Sequence, residues 1–482
     1  MRKITRILLV YPPTTIYRDV ERKRIGMPLG LAYLAAFLEQ DGFEVRIVDA
    51  SVEAPDHEVD LDETSFRFGL SYEAIQEIIV SYAPDIVGVS ILYSSQAENG
   101  YTVCERAKAV NEHIITVVGG AHPTSQPKDV LTNPAIDFVV IGEGEIPMKL
   151  LLQYLQGTIP SAELDGVGCH TEQGISIYPK KQFVEDLDAL PFPAWHLLSF
   201  NKYFEAGCAH GTFQHSPYAP VFTSRGCPYH CTFCFAHRVH GRRFRKRSVS
   251  NILAEIETLM KDYGVKEIHF EDDSLTTDRK RAVELFTAFI NRDLRLSWTT
   301  PNGVSVSTLD KNLLRLMRDS GCYKLILAVE SGSQRVLSEI MHKPLQLEKV
   351  IETMKNLAEL EIPVALYWML GLPGETKQDI EASIELAIKL RTIHPMGYSS
   401  FSIFTPFKGT KLYDVCLENG YFTHELAQHK LKYCFSQIST PDFSSEYIEK
   451  MRKIAWQRAN DIGGDDNLDN SPHLAFWIPD NS

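Results

Sequence analysis

Three cysteines lie close together in the stretch SRGCPYHCTFCFAH, residues 224–237. They are Cys227, Cys231 and Cys234, which gives the spacing C-x3-C-x2-C. Thiolates are soft ligands that suit zinc and iron–sulfur clusters. Structural zinc sites and ordinary cubane clusters take four ligands. Three cysteines can instead hold three irons of a cubane and leave the fourth iron open to bind a cofactor, which is the interpretation we favour.

Zinc is the alternative metal for these cysteines. His230 or His237 could supply a fourth ligand from the same stretch. Zinc sites, however, usually combine two short pairs of ligands, and no second pair of cysteines follows in the sequence. The spacing therefore favours a cluster and leaves zinc open.

Strand and helix patterns alternate from Pro220 onward, around and after the cysteine stretch. The strand patterns begin near residues 220, 266, 296, 323, 363 and 397, and helical patterns separate them. Six such repeats predict a partial (β/α)6 barrel, with its chemistry at the carboxyl ends of the strands. Tyr367 and Trp368, in the fifth of these strands, could line the cavity or belong to the core.

A second alternating series precedes the cysteines and predicts a doubly wound, Rossmann-like α/β domain. Its ligand site should lie where the strands end. Glycines at those ends would let the backbone approach a large ligand closely. A dinucleotide fits poorly, because no G-x-G-x-x-G follows the first strand. The strand patterns of this series cover residues 7–13, 44–50, 85–91, 114–123 and 137–145.

These patterns divide the chain of 482 residues into parts. We expect a Rossmann-like domain over residues 1–160 and a Pro-rich linker over residues 161–215. The partial barrel should then cover residues 216–420, and a small helical region should cover residues 421–482. The predicted fold class is α/β throughout the first three parts.

Composition limits the functions to consider. A net charge of −13 argues against nonspecific nucleic-acid binding. No apolar run reaches the length of a membrane span, so we predict no transmembrane segment. Nine cysteines without a disulfide pattern indicate a reducing compartment such as the cytoplasm. The cysteines outside the central stretch are Cys104, Cys169, Cys208, Cys322, Cys416 and Cys434.

The cysteine motif, with Phe233 before its last cysteine, resembles that of the radical S-adenosylmethionine (SAM) superfamily. It also follows the first barrel strand, where that family carries it. Further strand-end stretches resemble the family's in the same order, namely EDDSLT (271–276), PNGV (301–304), AVESGSQ (328–334), LGLPGET (370–376) and TPFKGTKLY (405–413). The resemblance implies a [4Fe-4S] cluster on the three cysteines and SAM bound at its open iron.

The same resemblance implies roles for residues at the SAM site. A Glu-Ser pair like Glu330-Ser331 lies at the ribose and amino group of SAM in relatives. The region around Gly371 and Pro373 borders the adenine. Asp272 and Asp273 could bind SAM or substrate, or simply cap the end of a strand. The expected SAM-binding residues are Phe233, Asp272, Glu330, Ser331, Gly371 and Pro373.

The N-terminal half resembles the cobalamin-binding domain that precedes the barrel in one large radical-SAM subfamily. GGAHPT (119–124) and IGEGE (141–145) look like the loops after its fourth and fifth strands. His122 could equally be an ordinary loop histidine whose hydrogen bonds are satisfied. The residues expected to bind cobalamin are Pro12, Pro13, Ser90, Tyr93, Gly119, Gly120, His122, Gly142, Glu143 and Gly144.

One departure from the cobalamin pattern stands after the first strand. Many cobalamin proteins carry D-x-H-x-x-G there, and its His ligates cobalt. Here residues 11–28 read YPPTTIYRDVERKRIGMP and contain no His. We therefore expect cobalamin without a histidine ligand, the alternative being that the domain has lost cobalamin.

The family implies a function, with alternatives. We expect a cobalamin-dependent methyltransferase that modifies an unactivated carbon of a small molecule by way of a 5′-deoxyadenosyl radical. Members with this layout also run cyclisation, ring contraction or oxidation, as the anaerobic Mg-protoporphyrin ester cyclase does. From another class, a non-catalytic zinc or cluster protein that binds partners stays open. The expected partners are the substrate and an electron donor such as flavodoxin or ferredoxin.

Overall fold

The computed structural model describes residues 3–18, 23–206, 211–423 and 432–460. The chain forms two compact units, residues 1–210 with 235–241 and residues 211–234 with 242–482. Each unit is built on its own parallel sheet, so the predicted α/β class is confirmed. No helix in the described ranges is both long and apolar enough to cross a bilayer.

The first unit alternates strands and helices over most of its length. Its strands are β1 (Arg6–Tyr11), β2 (Thr14–Tyr17), β3 (Glu44–Asp49), β4 (Glu58–Asp60), β5 (Ser65–Phe68), β6 (Ile86–Ser90), β7 (Ile115–Gly119), β8 (Phe138–Val140), β9 (Val167–Thr171) and β10 (Gly174–Tyr178). Its helices are α1 (Leu29–Gln40), α2 (Ala50–Glu53), α3 (Tyr72–Tyr82), α4 (Ala97–Val110), α5 (Ala121–Ser125), α6 (Pro127–Val130), α7 (Glu145–Leu155), α8 (Phe200–Glu205) and α9 (Ala236–His240).

The main sheet of the first unit has the strand order β10-β9-β8-β7-β6-β1-β3. The strands from β8 to β3 are parallel, whereas β9 and β10 run antiparallel at one edge. β1 is an apolar run buried on both faces, as a central parallel strand requires. The chain reverses its direction of winding between β1 and β6, and such a switch point is where open α/β sheets bind ligands.

Two features of this unit differ from the sequence-based expectation. The hairpin of β9 and β10 extends the main sheet, although its residues were expected in the linker over 161–215. The short strand patterns GVGCHT (166–171) and GISIYP (174–179) in that stretch agree with β9 and β10, while the division of the chain at residues 160, 215 and 420 stays a prediction. A small antiparallel sheet, β2-β5-β4, is also present and was not predicted. Both features form by pairing between short strands, which carry little periodicity of their own.

The second unit repeats strand and helix in a longer series. Its strands are β11 (Tyr218–Val221), β12 (Ser224–Arg225), β13 (Arg245–Lys246), β14 (Glu267–Phe270), β15 (Ser297–Thr299), β16 (Cys322–Glu330), β17 (Val364–Leu370) and β18 (Gly397–Ile403). Its helices are α10 (Val249–Tyr263), α11 (Arg279–Asn291), α12 (Lys311–Asp319), α13 (Leu347–Glu359), α14 (Lys377–Ile393), α15 (Lys411–Glu418) and α16 (Ser445–Asn460), with a π-helical turn at Val336–Ile340.

Six of these strands form one parallel sheet in the order β11-β14-β15-β16-β17-β18. This is the predicted six-stranded partial barrel. Helices cover its outer face, where the Trp298 ring stacks on Phe286 with the ring centroids 4.8 Å apart. The expected helical region after residue 420 contains α16, which packs against β18. Residues 424–431 and 461–482 of that region lie outside the described residues.

The loops after β6 and β7 approach each other so closely that one position tolerates only glycine. Gly120 has a φ of +114°, and a Cβ there would lie 2.4 Å from the carbonyl oxygen of Ile91. Gly174, in the β9–β10 hairpin, has a similar φ of +105°, but a Cβ there meets no described atom within 4 Å. A side chain would therefore strain the backbone at either position, but only at Gly120 would it also collide with a neighbouring loop.

We predict that Gly120→Ala destabilises the first unit more than Gly174→Ala does. The positive φ alone should cost about 1–2 kcal/mol in either variant. The overlap with Ile91 should add about 2 kcal/mol in Gly120→Ala, because backbone atoms must move. Urea unfolding followed by circular dichroism measures both variants against the wild type. Equal losses of stability would contradict the close approach of the two loops.

Candidate functional site

The three cysteines of the motif lie on one loop of the second unit. This cysteine loop, residues 226–234, follows β12 directly. None of the three cysteines forms a disulfide, all three are partly exposed, and the backbone N–H of Cys234 donates to the carbonyl of Cys231 at 3.3 Å. Burial raises the pKa of the thiols of Cys227 and Cys231. In the described ranges, no three His, Cys, Asp or Glu side chains are grouped to hold a single metal ion.

Thr232 fastens the cysteine loop to the rest of the unit. Its backbone N–H donates to the carbonyl of Met341 at 3.0 Å, and its hydroxyl donates to the carbonyl of Ile340 at 2.6 Å. Its own carbonyl accepts from the N–H of Leu412 at 3.2 Å, at the start of α15. The buried threonine therefore ties the loop to two separate segments that each follow a barrel strand.

Asp272, expected at the SAM site, instead fastens the strand that leads into the cysteine loop. The side chain is almost fully buried. Its carboxylate accepts from the N–H of Thr223 at 3.1 Å, from the Thr223 hydroxyl at 2.7 Å and from the Ser224 hydroxyl. Arg281 donates to the carbonyl of Thr223 at 2.9 Å. Burial raises the pKa of Asp272, and the charge of Arg281 opposes that rise.

The neighbouring Asp273 is the stronger candidate for a ligand contact. Its Oδ2 is buried and has no hydrogen-bond partner within the described part of the chain. Its charge also acts on the thiol of Cys227. An orphaned carboxylate oxygen near a cysteine of the motif is the kind of group that a bound molecule would satisfy. The signal in the sequence is the double acid at a strand end, where consecutive side chains face opposite ways.

Glu330 and Ser331, at the end of β16, occupy different surroundings. Glu330 has a φ of +72°, which is uncommon for a residue other than glycine and concentrates at functional sites. Its Oε1 lies 3.6 Å from the Nζ of Lys343, and the two side chains are only 12% and 13% exposed. Burial raises the pKa of Glu330, whereas Lys343 lowers it. Ser331 is fully buried, and its hydroxyl accepts from the N–H of Ser333 at 3.1 Å.

The loop after β17 contains the expected Gly371 and Pro373, both buried. Gly371 has a φ of +83°. Its N–H and that of Leu372 donate to Glu375 Oε2 at 2.6 and 3.1 Å. Glu375 is fully buried, and burial raises its pKa to about 8. A neutral carboxyl group therefore shapes this loop near pH 7. Phe233, the remaining expected SAM contact, is half-buried on the cysteine loop.

In the first unit, the predicted cobalamin residues lie at the carboxyl edge of the main sheet. Pro12 and Pro13 follow β1 and are buried, and Ser90 ends β6. Tyr93 stands 54% exposed beside Leu92, which is 44% exposed. These residues border the switch point between β1 and β6, so large side chains stay uncovered at the expected ligand position.

His122 follows Gly119 and Gly120 and holds the loops of this edge together. Its Nε2 lies 2.8 Å from the Tyr101 hydroxyl, and its Nδ1 lies 2.9 Å from the Ser94 hydroxyl. Burial lowers the pKa of His122 to about 4, so the ring is neutral. Both ring nitrogens therefore have hydrogen-bond partners. This agrees with the alternative that His122 is an ordinary loop histidine.

Gly142, Glu143 and Gly144 connect β8 to α7. Gly142 has a φ of +74°, and a Cβ there would lie 3.1 Å from the carbonyl oxygen of Val239. The buried Glu143 has its Oε1 3.3 Å from His240 Nδ1, and its carbonyl accepts from Lys180 at 3.2 Å. The structure therefore brings the expected residues to one edge, with the side chain of Glu143 already partnered.

We predict that Glu375→Gln gains stability over the wild type as the pH rises. The folded pKa of about 8 exceeds the unfolded value of about 4.5, so the wild type loses stability between these pH values. The glutamine does not titrate, and the difference should grow by about 2–4 kcal/mol between pH 5 and pH 8. Thermal or urea unfolding at both pH values measures it.

The matched control for this measurement is Glu348→Gln, because Glu348 is exposed on α13. That variant should follow the wild type at both pH values. Parallel pH dependence of Glu375→Gln and the wild type would show that the buried carboxyl group is ionised in the folded protein.

Two family models match the chain. The B12 binding domain matches residues 19–152, and the Radical SAM superfamily matches residues 221–387. The first match falls within the first unit. The second match includes the cysteine loop and the strand ends through β17.

Named relatives match over most of the chain. Cytidylyl-2-hydroxyethylphosphonate methyltransferase of Streptomyces wedmorensis is 34% identical over 472 residues, covering 91% of this chain and 87% of its own. Anaerobic magnesium-protoporphyrin IX monomethyl ester cyclase of Rubrivivax gelatinosus is 28% identical, covering 80% of this chain and 65% of its own. Both relatives therefore match across the two units.

Among solved structures, the radical SAM methyltransferase TsrM of Kitasatospora setae has a TM-score of 0.68 at 18% identity, covering 86% of this chain and 75% of its own. That likeness shows the fold. Together with the identity to the Streptomyces enzyme, it shows that this chain belongs to the radical SAM enzymes that carry an N-terminal B12-binding domain, the family of the cobalamin-dependent radical SAM methyltransferases.

Proposed function

We propose that this protein is a cobalamin-dependent radical SAM methyltransferase that methylates an unactivated carbon of a small molecule. The observation that carries the proposal is the cysteine loop, which Thr232 ties to two segments that follow barrel strands and which gathers three cysteines that form no disulfide. The B12-binding unit and the identity to a methyltransferase support it. Residues at the carboxyl edges of the two parallel sheets would hold SAM and cobalamin.

The residues of the cysteine loop fit a [4Fe-4S] cluster. Cys227, Cys231 and Cys234 offer three soft ligands, and the motif leaves one iron for SAM. When bound, the cluster and SAM would supply the radical that removes hydrogen from the substrate, and cobalamin would supply the methyl group. The protein's part is to hold these groups in place and exclude water.

Several side chains at the strand ends fit a SAM molecule. The orphaned Oδ2 of Asp273 and the carboxylate of Glu330 can accept hydrogen bonds from its amino group or ribose hydroxyls. Gly371, Pro373 and Phe233 supply apolar surface for the adenine. Asp272 and Ser331 stabilise the neighbouring loops rather than contact SAM, because their oxygens are already bonded within the protein.

The edge of the first unit fits cobalamin. A large planar ligand needs backbone that can approach it closely, which the glycine turns provide. It also needs exposed apolar side chains, which Leu92 and Tyr93 provide. Residues 11–28 contain no His, so we propose that cobalt takes no histidine ligand from this loop. His122 serves as a fixed support for the edge.

We assign the substrate to the face of β17 that carries Tyr367. Tyr367 is 36% exposed although its strand is paired on both sides, so its ring borders open space. Trp368 faces the other way, fully buried, and donates to the Ser399 hydroxyl at 3.1 Å. The tyrosine thus has the position of a substrate contact, and the tryptophan belongs to the core.

Radical cyclisation or oxidation is the second candidate reaction. The 28% identity to the protoporphyrin ester cyclase supports it, because that enzyme matches across both units. An electron donor such as flavodoxin or ferredoxin would serve either reaction. None of the described cysteines forms a disulfide, which suits a reducing compartment such as the cytoplasm.

The test of the proposed function is anaerobic reconstitution with iron, sulfide and cobalamin. We expect about four iron atoms per chain, a cobalamin absorption band and SAM cleavage with dithionite. The variant Cys227→Ala/Cys231→Ala/Cys234→Ala should lose iron and cleavage, because its ligands are gone, and should keep cobalamin on the first unit. With substrate, methylation yields S-adenosylhomocysteine as well as 5′-deoxyadenosine.

Each departure from this pattern has a definite meaning. A cluster without cobalamin would overturn the methyl-donor role. 5′-Deoxyadenosine without S-adenosylhomocysteine would favour cyclisation or oxidation. Zinc in place of iron, with no cleavage of SAM, would support the non-catalytic alternative.

We also predict that Asp273→Asn weakens SAM binding at least tenfold while the cluster stays bound. A hydrogen bond to a charged group contributes about 1.5–3 kcal/mol, and the asparagine loses that charge. Equilibrium dialysis of the reconstituted variant with SAM measures the affinity. Asp272→Asn is the matched neighbour and should lower thermal stability instead, since it removes a buried, bonded charge. Weaker SAM binding in Asp272→Asn, together with lower stability in Asp273→Asn, would instead indicate that Asp272 contacts SAM.

A further inference from the structure

Two polar side chains of β14, Glu267 and His269, face the interior of the barrel. Successive side chains of a strand point to opposite faces. The alternate residue Phe270 lies edge-to-face with Trp298 at a centroid distance of 5.4 Å, and Trp298 packs against the outer helices. Glu267 and His269 are 0% and 1% exposed. Branched apolar side chains usually fill a barrel interior, so a buried carboxyl group there needs partners.

A short segment that precedes β11 provides several of those partners. We call this segment, residues 211–215, the plug. The backbone N–H groups of Gln214 and His215 donate to Glu267 Oε2 at 2.8 and 2.7 Å. The other carboxylate oxygen, Oε1, lies 2.8 Å from Nε2 of His269. The plug is therefore bonded directly to a buried carboxylate at the amino end of β14.

Two residues near the start of β16 bind the plug as well. The hydroxyl of Tyr323 lies 2.9 Å from the carbonyl oxygen of Thr212 and 2.7 Å from Glu267 Oε1. The ammonium group of Lys324, which is 6% exposed, donates to the hydroxyl of Thr212. Burial lowers the pKa of Lys324 to about 8, as expected for a cation kept away from water, and the charge of Glu267 opposes that change. The plug therefore connects β14 and β16, which lie on either side of β15.

Packing extends the plug along the interior of the barrel. The ring of Phe213 stacks on Tyr218 with the centroids 5.1 Å apart, and Tyr218 stacks on His269 at 4.9 Å. A Cβ on Gly211 would lie 3.4 Å from the Cβ of Pro301, which follows β15. The plug thus reaches from beyond the carboxyl end of β15 to the first residue of β14.

We propose that the plug closes the amino end of the barrel to solvent, so that a ligand reaches the interior from the carboxyl end. Its last two residues, Gln214 and His215, are exposed, whereas Glu267 and Lys324 beneath it are buried. The plug is therefore the boundary between solvent and the polar groups inside. A site closed at one end excludes water from reactive intermediates. The closure goes beyond the proposed function and does not depend on it, because it concerns the second unit alone.

Hydrogen exchange of the full chain, measured by mass spectrometry, tests the closure. In the wild type, the amides of Gln214 and His215 should exchange at least about tenfold more slowly than in an unfolded chain. Tyr323→Phe removes a hydroxyl bonded to the plug and keeps the charge and the ring, so it should speed this exchange about tenfold. The matched control Tyr398→Phe, which removes a bonded hydroxyl from β18, should leave it unchanged.

Acetylation by acetic anhydride, followed by mass spectrometry, gives a second measurement on the same proteins. Lys349 serves as the internal reference, since its side chain is 25% exposed and paired with Glu352 on α13. In the wild type, Lys324 should react at least about tenfold more slowly than Lys349, because the plug covers it. The ratio of the two rates should rise in Tyr323→Phe and rise further in Glu267→Gln.

The outcomes separate a closed barrel from a general loss of stability. Wild-type plug amides that exchange as fast as an unfolded chain, or a Lys324 that reacts as fast as Lys349, would overturn the closure. An equal rise in Tyr323→Phe and Tyr398→Phe would also overturn it. If Glu267→Gln does not fold, Tyr323→Phe decides the result. Neither measurement needs a bound cluster, so a failed reconstitution would count against the proposed function and leave the closure to these data.

Discussion

Parallel strand pairing is the constraint on which the functional architecture depends. Because all strands of a parallel sheet point the same way, the loops that follow them meet at one edge. In the barrel, this brings the cysteine loop, Asp273 and Glu330 to the same edge, although more than a hundred residues separate the first from the last. Hydrogen bonds then set the details of that edge, and Thr232 provides three of them with one residue.

The two adjacent acids after β14, Asp272 and Asp273, have different surroundings at this edge. Asp272 turns into the protein, where Thr223, Ser224 and the charge of Arg281 satisfy it. Asp273 keeps a buried oxygen without a described partner. Burying a charge is costly unless it is paired, so the bonded acid can contribute to a stable loop and the orphaned acid cannot. A buried polar atom without a partner calls for an explanation, and the proposed contact with SAM is the one we offer for Asp273.

Hydrophobic periodicity and the cysteine spacing were sufficient to predict both parallel sheets, because long buried strands and amphipathic helices carry strong local patterns. Ser248 is the N-cap of α10, where its hydroxyl accepts from the N–H of Asn251, and serine is a residue type typical of that position. The short strand patterns of β9 and β10 were visible, but their pairing with β8 was not, and the sheet of β2, β4 and β5 was missed, because pairing between segments far apart in the sequence leaves no local pattern. The sequence also could not predict which of the neighbouring side chains of Asp272 and Asp273 is bonded within the protein.

Two buried carboxyl groups illustrate different physical ways of fixing a loop at this edge. Asp272 is held by several donors and faces Arg281, so its network depends on charge. Glu375 has two backbone donors, and these together with the charge of Arg335 do not offset the effect of its burial, so its pKa rises to about 8. A neutral carboxyl group keeps the loop after β17 in shape without placing another negative charge close to the strand ends. A cluster and its thiolates are themselves negative, so a neutral Glu375 avoids adding a further negative charge to this edge.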